Sequence, residues 1–204
     1  MSFLDAIVAN TRGRVAERRA RTPDRELHAR LADAPRVRSL HDALSGSGRF
    51  SVIAEHKRRS PSGGDSDPRN VAAAYDVYAN TPWIAAVSVL TDSDYFGGSV
   101  EDLFIARHAV NKSVLRKDFI VDDYQVLEAR AFGADAILLM ASVLAKEPSH
   151  MAALYDLARS LGLDVLVELG MANHRIEDLV AVVPPKARIW GINARQFAKR
   201  DTGD

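Results

Sequence analysis

Six short apolar runs recur along this chain, and their spacing limits its fold more than any other feature of the sequence. They are FSVIAEHK (50–57), WIAAVSVL (83–90), SVLRK (113–117), ADAILLM (134–140), LDVLVEL (163–169) and RIWGIN (188–193). Strands beginning near 51, 84, 113, 135, 164 and 188 lie 22 to 33 residues apart. Helical spacing fills the gaps: DPRNVAAAYDVYAN (67–80), SVEDLFIARHAV (99–110), DDYQVLEARAFG (122–133), EPSHMAALYDLARSLG (147–162) and MANHRIEDLVAVV (171–183). Asp67-Pro68 reads as a helix start, Ser99 with Asp102 as a capping pair, and Gly133 and Gly162 as helix stops. One strand and one helix per repeat predict βα units on a parallel sheet. The strands are nearly continuous apolar runs, as strands covered on both faces must be.

The chain before the first strand is different. Residues 1–20 predict an amphipathic helix with Phe3, Leu4, Ile7, Val8 and Val15 on one side, and residues 20–50 read as a polar, Arg-rich connector. The division expected is therefore an N-terminal helical extension over 1–48 and a barrel domain over 49–204. Lys plus Arg and Asp plus Glu both number 27, so the formal charge is zero, which argues against a nucleic-acid or membrane-surface partner. No apolar run approaches the ~20 residues of a membrane span, and no signal-peptide core is present, so a cytoplasmic location is expected. The absence of cysteine excludes disulfides, thiolate metal sites and a cysteine nucleophile. The histidines at 28, 41, 56, 108, 150 and 174 have no metal-ligand spacing, so no metal site is assigned.

An open doubly wound sheet and a (β/α)8 TIM barrel both accommodate this pattern. The first strand is not followed by GxGxxG, which weakens a dinucleotide-binding reading. Polar residues stand at the C-terminal ends of the strands: Glu55 and Lys57, Ser88 and Thr91, Lys117, Glu168, Asn193. A barrel gathers such residues around one mouth. Lys57 and Lys117 then suit a general acid, and Glu55 and Glu168 suit moving protons or steadying a cationic intermediate, or alternatively the four form core ion pairs that fix register. KRRSPSGG (57–64) reads either as an anion-binding turn or as a solvated loop. DSDYFGGS (92–99) offers Tyr95 and Phe96 either to a ring substrate or to the core. Phe119 is open to both readings.

Several stretches resemble one family closely: IAEHKRRSPSG (53–63), SVLTDSDYFGGSVEDL (88–103), LRKDFIVDDYQVLEARAFGADAILLM (115–140), LGLDVLVE (161–168) and GINAR (191–195). They are similar to indole-3-glycerol phosphate synthase of tryptophan biosynthesis, over essentially the whole chain. The resemblance implies a (β/α)8 barrel without metal or organic cofactor. It implies a small-molecule substrate, a carboxyphenylamino-deoxyribulose 5-phosphate, whose ring closure loses carbon dioxide and then water. By motif, Lys117 resembles the general acid at the ketone oxygen and Glu168 the carboxylate of later proton transfer. Glu55 and Lys57 resemble the supporting pair, Lys57 also reaching the substrate. Asn193 and Arg195 resemble orienting residues, with Arg195 suited to the leaving carboxylate. Ser60, Phe96, Phe119 and Leu138 fall where the family holds the phosphate side or the ring.

The chain departs from the family in a short 60–68 loop, in LGMANH after Glu168, and in running to six βα units. Six units imply an unclosed barrel with exposed ladder groups. The expectations are a missing C-terminal segment or self-association, and weak or absent turnover. The competing reading is an inactive or partner-completed barrel fragment that binds a phosphosugar.

Overall fold

In the computed structural model, the apolar runs become six parallel strands hydrogen-bonded in chain order. The structure describes residues 3–46, 48, 50–59, 70–170 and 175–193. The strands are β1 (Val52–His56), β2 (Ile84–Leu90), β3 (Ser113–Lys117), β4 (Ala136–Met140), β5 (Asp164–Gly170) and β6 (Ile189–Asn193). A doubly wound sheet reverses its strand order at a switch point. Here the order runs from β1 to β6 without reversal, so the sheet curls as part of a (β/α) barrel, with β1 and β6 as its edges.

Ten helices accompany the strands among the described residues: α1 (Phe3–Arg21), α2 (Asp24–Leu31), α3 (Leu40–Ser45), α4 (Asn70–Asn80), α5 (Ser93–Phe96), α6 (Glu101–Ala109), α7 (Asp123–Ala131), α8 (Ala141–Leu144), α9 (Pro148–Ser160) and α10 (Ile176–Val182). None is long and apolar enough to cross a membrane. The outward residues of the strands, among them Val87, Val89, Val114, Ile137, Leu139, Val165 and Val167, pack with the helices in one large cluster. Gly133 and Gly162 end α7 and α9 with φ of 90° and 80°. The N–H groups of the residues that follow them bond back to Ala129 and Ala158. That left-handed turn is the helix stop expected of glycine.

Three expectations need correction. The connector over 20–50 holds two helices, because Leu27 and Leu40 each find a fully buried site. Ser39 starts α3, its hydroxyl accepting the Asp42 N–H at 3.1 Å. The capping pair of α6 works in one direction only: the Asp102 carboxylate accepts the Ser99 N–H at 2.9 Å, and Val100, not Ser99, is the capping residue. DSDYFGGS is not a bare loop. Asp92 accepts the Tyr95 N–H at 2.7 Å and starts the short helix α5. Asp67-Pro68 and residues 171–174 lie outside the described residues.

The segment before β1 closes the lower end of the barrel. Leu40 packs with Ala86, Leu115, Ala136 and Ile189 inside the strands. Two buried carboxylates hold it there. Asp135 accepts the backbone N–H groups of Arg38 and Val114 and pairs with Arg107. Asp164 accepts the Ser39 hydroxyl and the His41 N–H. Buried carboxylates are tolerated when every oxygen is matched in this way.

Candidate active site

Side chains alternate across a strand, so each βα unit sends every second residue into the barrel. Register then sets their height. Glu55 lies beside Ser88, Leu90 beside Lys117, Met140 beside Glu168 and Gly170 beside Asn193. The inward residues near the C-terminal ends of the strands therefore form one layer, and a cleft opens above it. Its lining includes Lys57, Phe96, Lys117, Phe119, Leu138, Glu168 and Asn193.

Glu55 ties the cationic side together. Its two carboxylate oxygens lie 2.9 Å from the Lys57 ammonium and 3.1 Å from that of Lys117. Ser88 donates a further bond to it at 3.2 Å. Burial pushes the Glu55 carboxyl up, but Lys117 and Lys57 outweigh burial and hold it below the usual carboxylate range. Across the cleft, the Asn193 side-chain amide donates to Glu168 at 3.2 Å. The site thus has an amine–carboxylate–amine group on β1 and β3 and an oriented carboxylate on β5.

The other walls are apolar. Phe119, Leu138 and Met140 cluster with Ile7 of α1, and Phe96 and Tyr95 pack against them. Phe96 lines the cleft, while Tyr95 lies outside its lining. Glycine is required behind Phe96: a Cβ on Gly98 would stand 1.9 Å from the Leu90 carbonyl oxygen. An apolar slot with a few convergent polar groups is the usual form of a small-molecule site.

Eight of the ten expected site residues are described, and all eight meet here: Glu55, Lys57, Phe96, Lys117, Phe119, Leu138, Glu168 and Asn193. Ser60 and Arg195 lie outside the described residues. One neighbouring expectation fails. Thr91 does not line the cleft; its hydroxyl donates to Asp118 and accepts from the buried Arg116. Arg58 of the basic turn leaves the mouth for a bidentate pair with Asp102 of α6. Leu90, Asp92, Asp118 and Met140 also line the cleft and were missed. The inward positions of Leu90 and Met140 at strand ends were the available signal. Asp92 has its carboxyl raised by burial beside Asp118 and Asp94. Among the described residues no three His, Asp or Glu side chains are placed to hold a metal ion.

The family described as indole-3-glycerol phosphate synthase matches residues 4–201. The indole-3-glycerol phosphate synthase of Rhodopirellula baltica is 40% identical over 206 residues, covering 99% of this chain and 76% of that protein. The protein of the same name from a Nocardioides species is 45% identical over 203 residues, covering 97% of this chain and 73% of that protein. The Streptomyces griseus protein is 42% identical over 201 residues, covering 97% and 71%.

Proposed function

The chain belongs to the indole-3-glycerol phosphate synthase family, and on that premise we propose how its own cleft carries out the ring closure. The reaction converts 1-(2-carboxyphenylamino)-1-deoxyribulose 5-phosphate to indole-3-glycerol phosphate, a carbon–carbon lyase step of tryptophan biosynthesis. The ring carbon bearing the carboxylate attacks the ketone carbon. Lys117 gives its proton to the ketone oxygen, which becomes a hydroxyl. Carbon dioxide then leaves, and its bonding pair restores the aromatic ring. The hydroxyl takes a second proton from Glu168 and departs as water, and return of a proton from the adjacent carbon to Glu168 completes the indole. Glu168 serves this later proton transfer, oriented by Asn193.

Glu55 keeps both ammonium groups in the mouth, where Lys57 reaches the substrate phosphate. Phe96, Phe119 and Leu138 hold the aromatic ring. Ser60 and Arg195 take the phosphate side and the leaving carboxylate. Residues 1–48 form the extension and 49–204 the barrel unit, working in the cytoplasm. One observation carries this reading: Glu55 holds Lys57 and Lys117 at the edge of an apolar-walled cleft that also contains the Glu168–Asn193 pair. Incubation with the carboxyphenylamino substrate tests it. Indole fluorescence and carbon dioxide should rise in equal amounts, even where turnover is as weak as six βα units lead one to expect, and carbon dioxide without indole, or neither product, contradicts it.

A further inference from the structure

Arg116 precedes Lys117 and points the other way, into the layer between sheet and helices. It is fully buried, and such a charge is costly unless every donor is matched. Its Nε donates to the Thr91 hydroxyl at 3.0 Å and its Nη1 to the Gln125 carbonyl at 2.8 Å. Its Nη2 meets Asp118 and Glu128, each at 2.9 Å. Burial works against the guanidinium charge, and Glu128 and Asp118 outweigh it.

The bonds of this network end on the backbone that carries the cleft residues. Asp118 uses one oxygen for Arg116 and for the Thr91 hydroxyl, the latter at 2.6 Å. Its other oxygen accepts the Phe119 N–H at 2.8 Å. Gln125, also fully buried, donates to the Phe119 carbonyl at 3.0 Å and accepts the Val121 N–H at 2.8 Å. The Thr91 N–H bonds the Lys117 carbonyl at 3.2 Å. Ladder hydrogen bonds stop where β3 stops, at Lys117. Beyond that point these side chains take over the main-chain partners that a strand neighbour would supply.

We propose that Arg116, acting through Asp118 and Thr91, is a positioning residue that fixes the backbone of 117–119 so that Lys117 and Phe119 face the cleft together. The inference rests on the synthase reading for its rate predictions and on geometry alone for its structural one. An ionic cluster serving stability alone has no need to converge on the backbone at Lys117 and Phe119. A displacement of about 1 Å in a catalytic group can cost up to about 100-fold in rate.

Thr91→Val tests this with little change of shape. It removes the donor to Asp118 and the acceptor for Arg116. The expected result is a kcat lowered about 10-fold, KM within about threefold, and an unchanged circular dichroism spectrum. The same change made in Lys117→Ala should lower kcat by less than about twofold, since no ammonium is left to place. Equal losses in both backgrounds, or no loss in the first, overturn the proposal. Arg116→Lys should not restore the rate, because one ammonium cannot reproduce the planar fork. Full activity in Arg116→Lys counts against the role. If the unaltered protein forms no product, the synthase reading fails instead, and a crystal structure of Thr91→Val decides positioning. Lys117 displaced from Glu55, or Phe119 turned from the cleft, supports it, and an unchanged placement of both overturns it.

Discussion

Replacing Glu55 by Gln removes one charge and almost no volume, so its consequences can be worked from the geometry. In the native site one carboxylate answers two ammonium groups, at 2.9 and 3.1 Å. Its side chain is 20% exposed, and those of Lys57 and Lys117 are 33% and 36% exposed. An unscreened pair at this distance in an effective dielectric of 20 is worth about 5 kcal/mol. Desolvation and the solvent reaching both lysines reduce that to about 1 kcal/mol per pair. The amide can still accept from one lysine but presents N–H groups to the other. The net cost should be about 2 kcal/mol, or roughly 4–8 °C in Tm for a chain of this length. Because the native carboxyl is held below its usual range, its contribution is present above the unfolded value near 4.5. That contribution is lost as pH falls through the lower folded value. Thermal unfolding of both proteins from pH 8 to pH 3 should therefore show a constant gap at neutral pH that closes in acid. The kcat of Glu55→Gln should fall about 10-fold as Lys117 loses its anchor. Equal Tm values at pH 7, or a gap that persists undiminished at pH 3, would refute the claim that this carboxylate works by charge.

Other expectations follow from the same structure. Glu168→Gln should keep its fold and lose roughly 10²–10⁴ in kcat, read by product fluorescence. Leu40→Ala opens the plug at the lower end of the barrel; it should cost about 3 kcal/mol in urea unfolding while leaving kcat at 20 °C within about twofold. Gly98→Ala drives a methyl group into the Leu90 carbonyl, so it should either unfold the protein or shift Phe96 and raise KM about 10-fold, and native KM and Tm would contradict the contact.

The sequence was a good guide to whatever repeats. Apolar runs marked all six strands within about two residues, since a buried parallel strand needs both faces apolar. Gly133 and Gly162 were legible because their φ values require glycine. The inward carboxylates and amines were legible because period-two alternation places Glu55 and Lys57 on one side. Features that depend on distant partners were not. Arg116 and Asp118 flank Lys117 in the same motif, yet nothing local shows that they converge on Thr91 and Gln125. Leu27 and Leu40 sit in a polar stretch with little periodicity, and tertiary burial rather than propensity makes helices there. Nothing local to Arg58 shows that its partner is Asp102, 44 residues later.

The central claim is that Lys117 supplies the proton that allows ring closure. Single-turnover formation of indole-3-glycerol phosphate by Lys117→Ala, beside the unaltered protein, tests it most directly. The account predicts a rate at least about 100-fold lower with a circular dichroism spectrum unchanged. A Lys117→Ala protein that closes the ring at a near-native rate would contradict it.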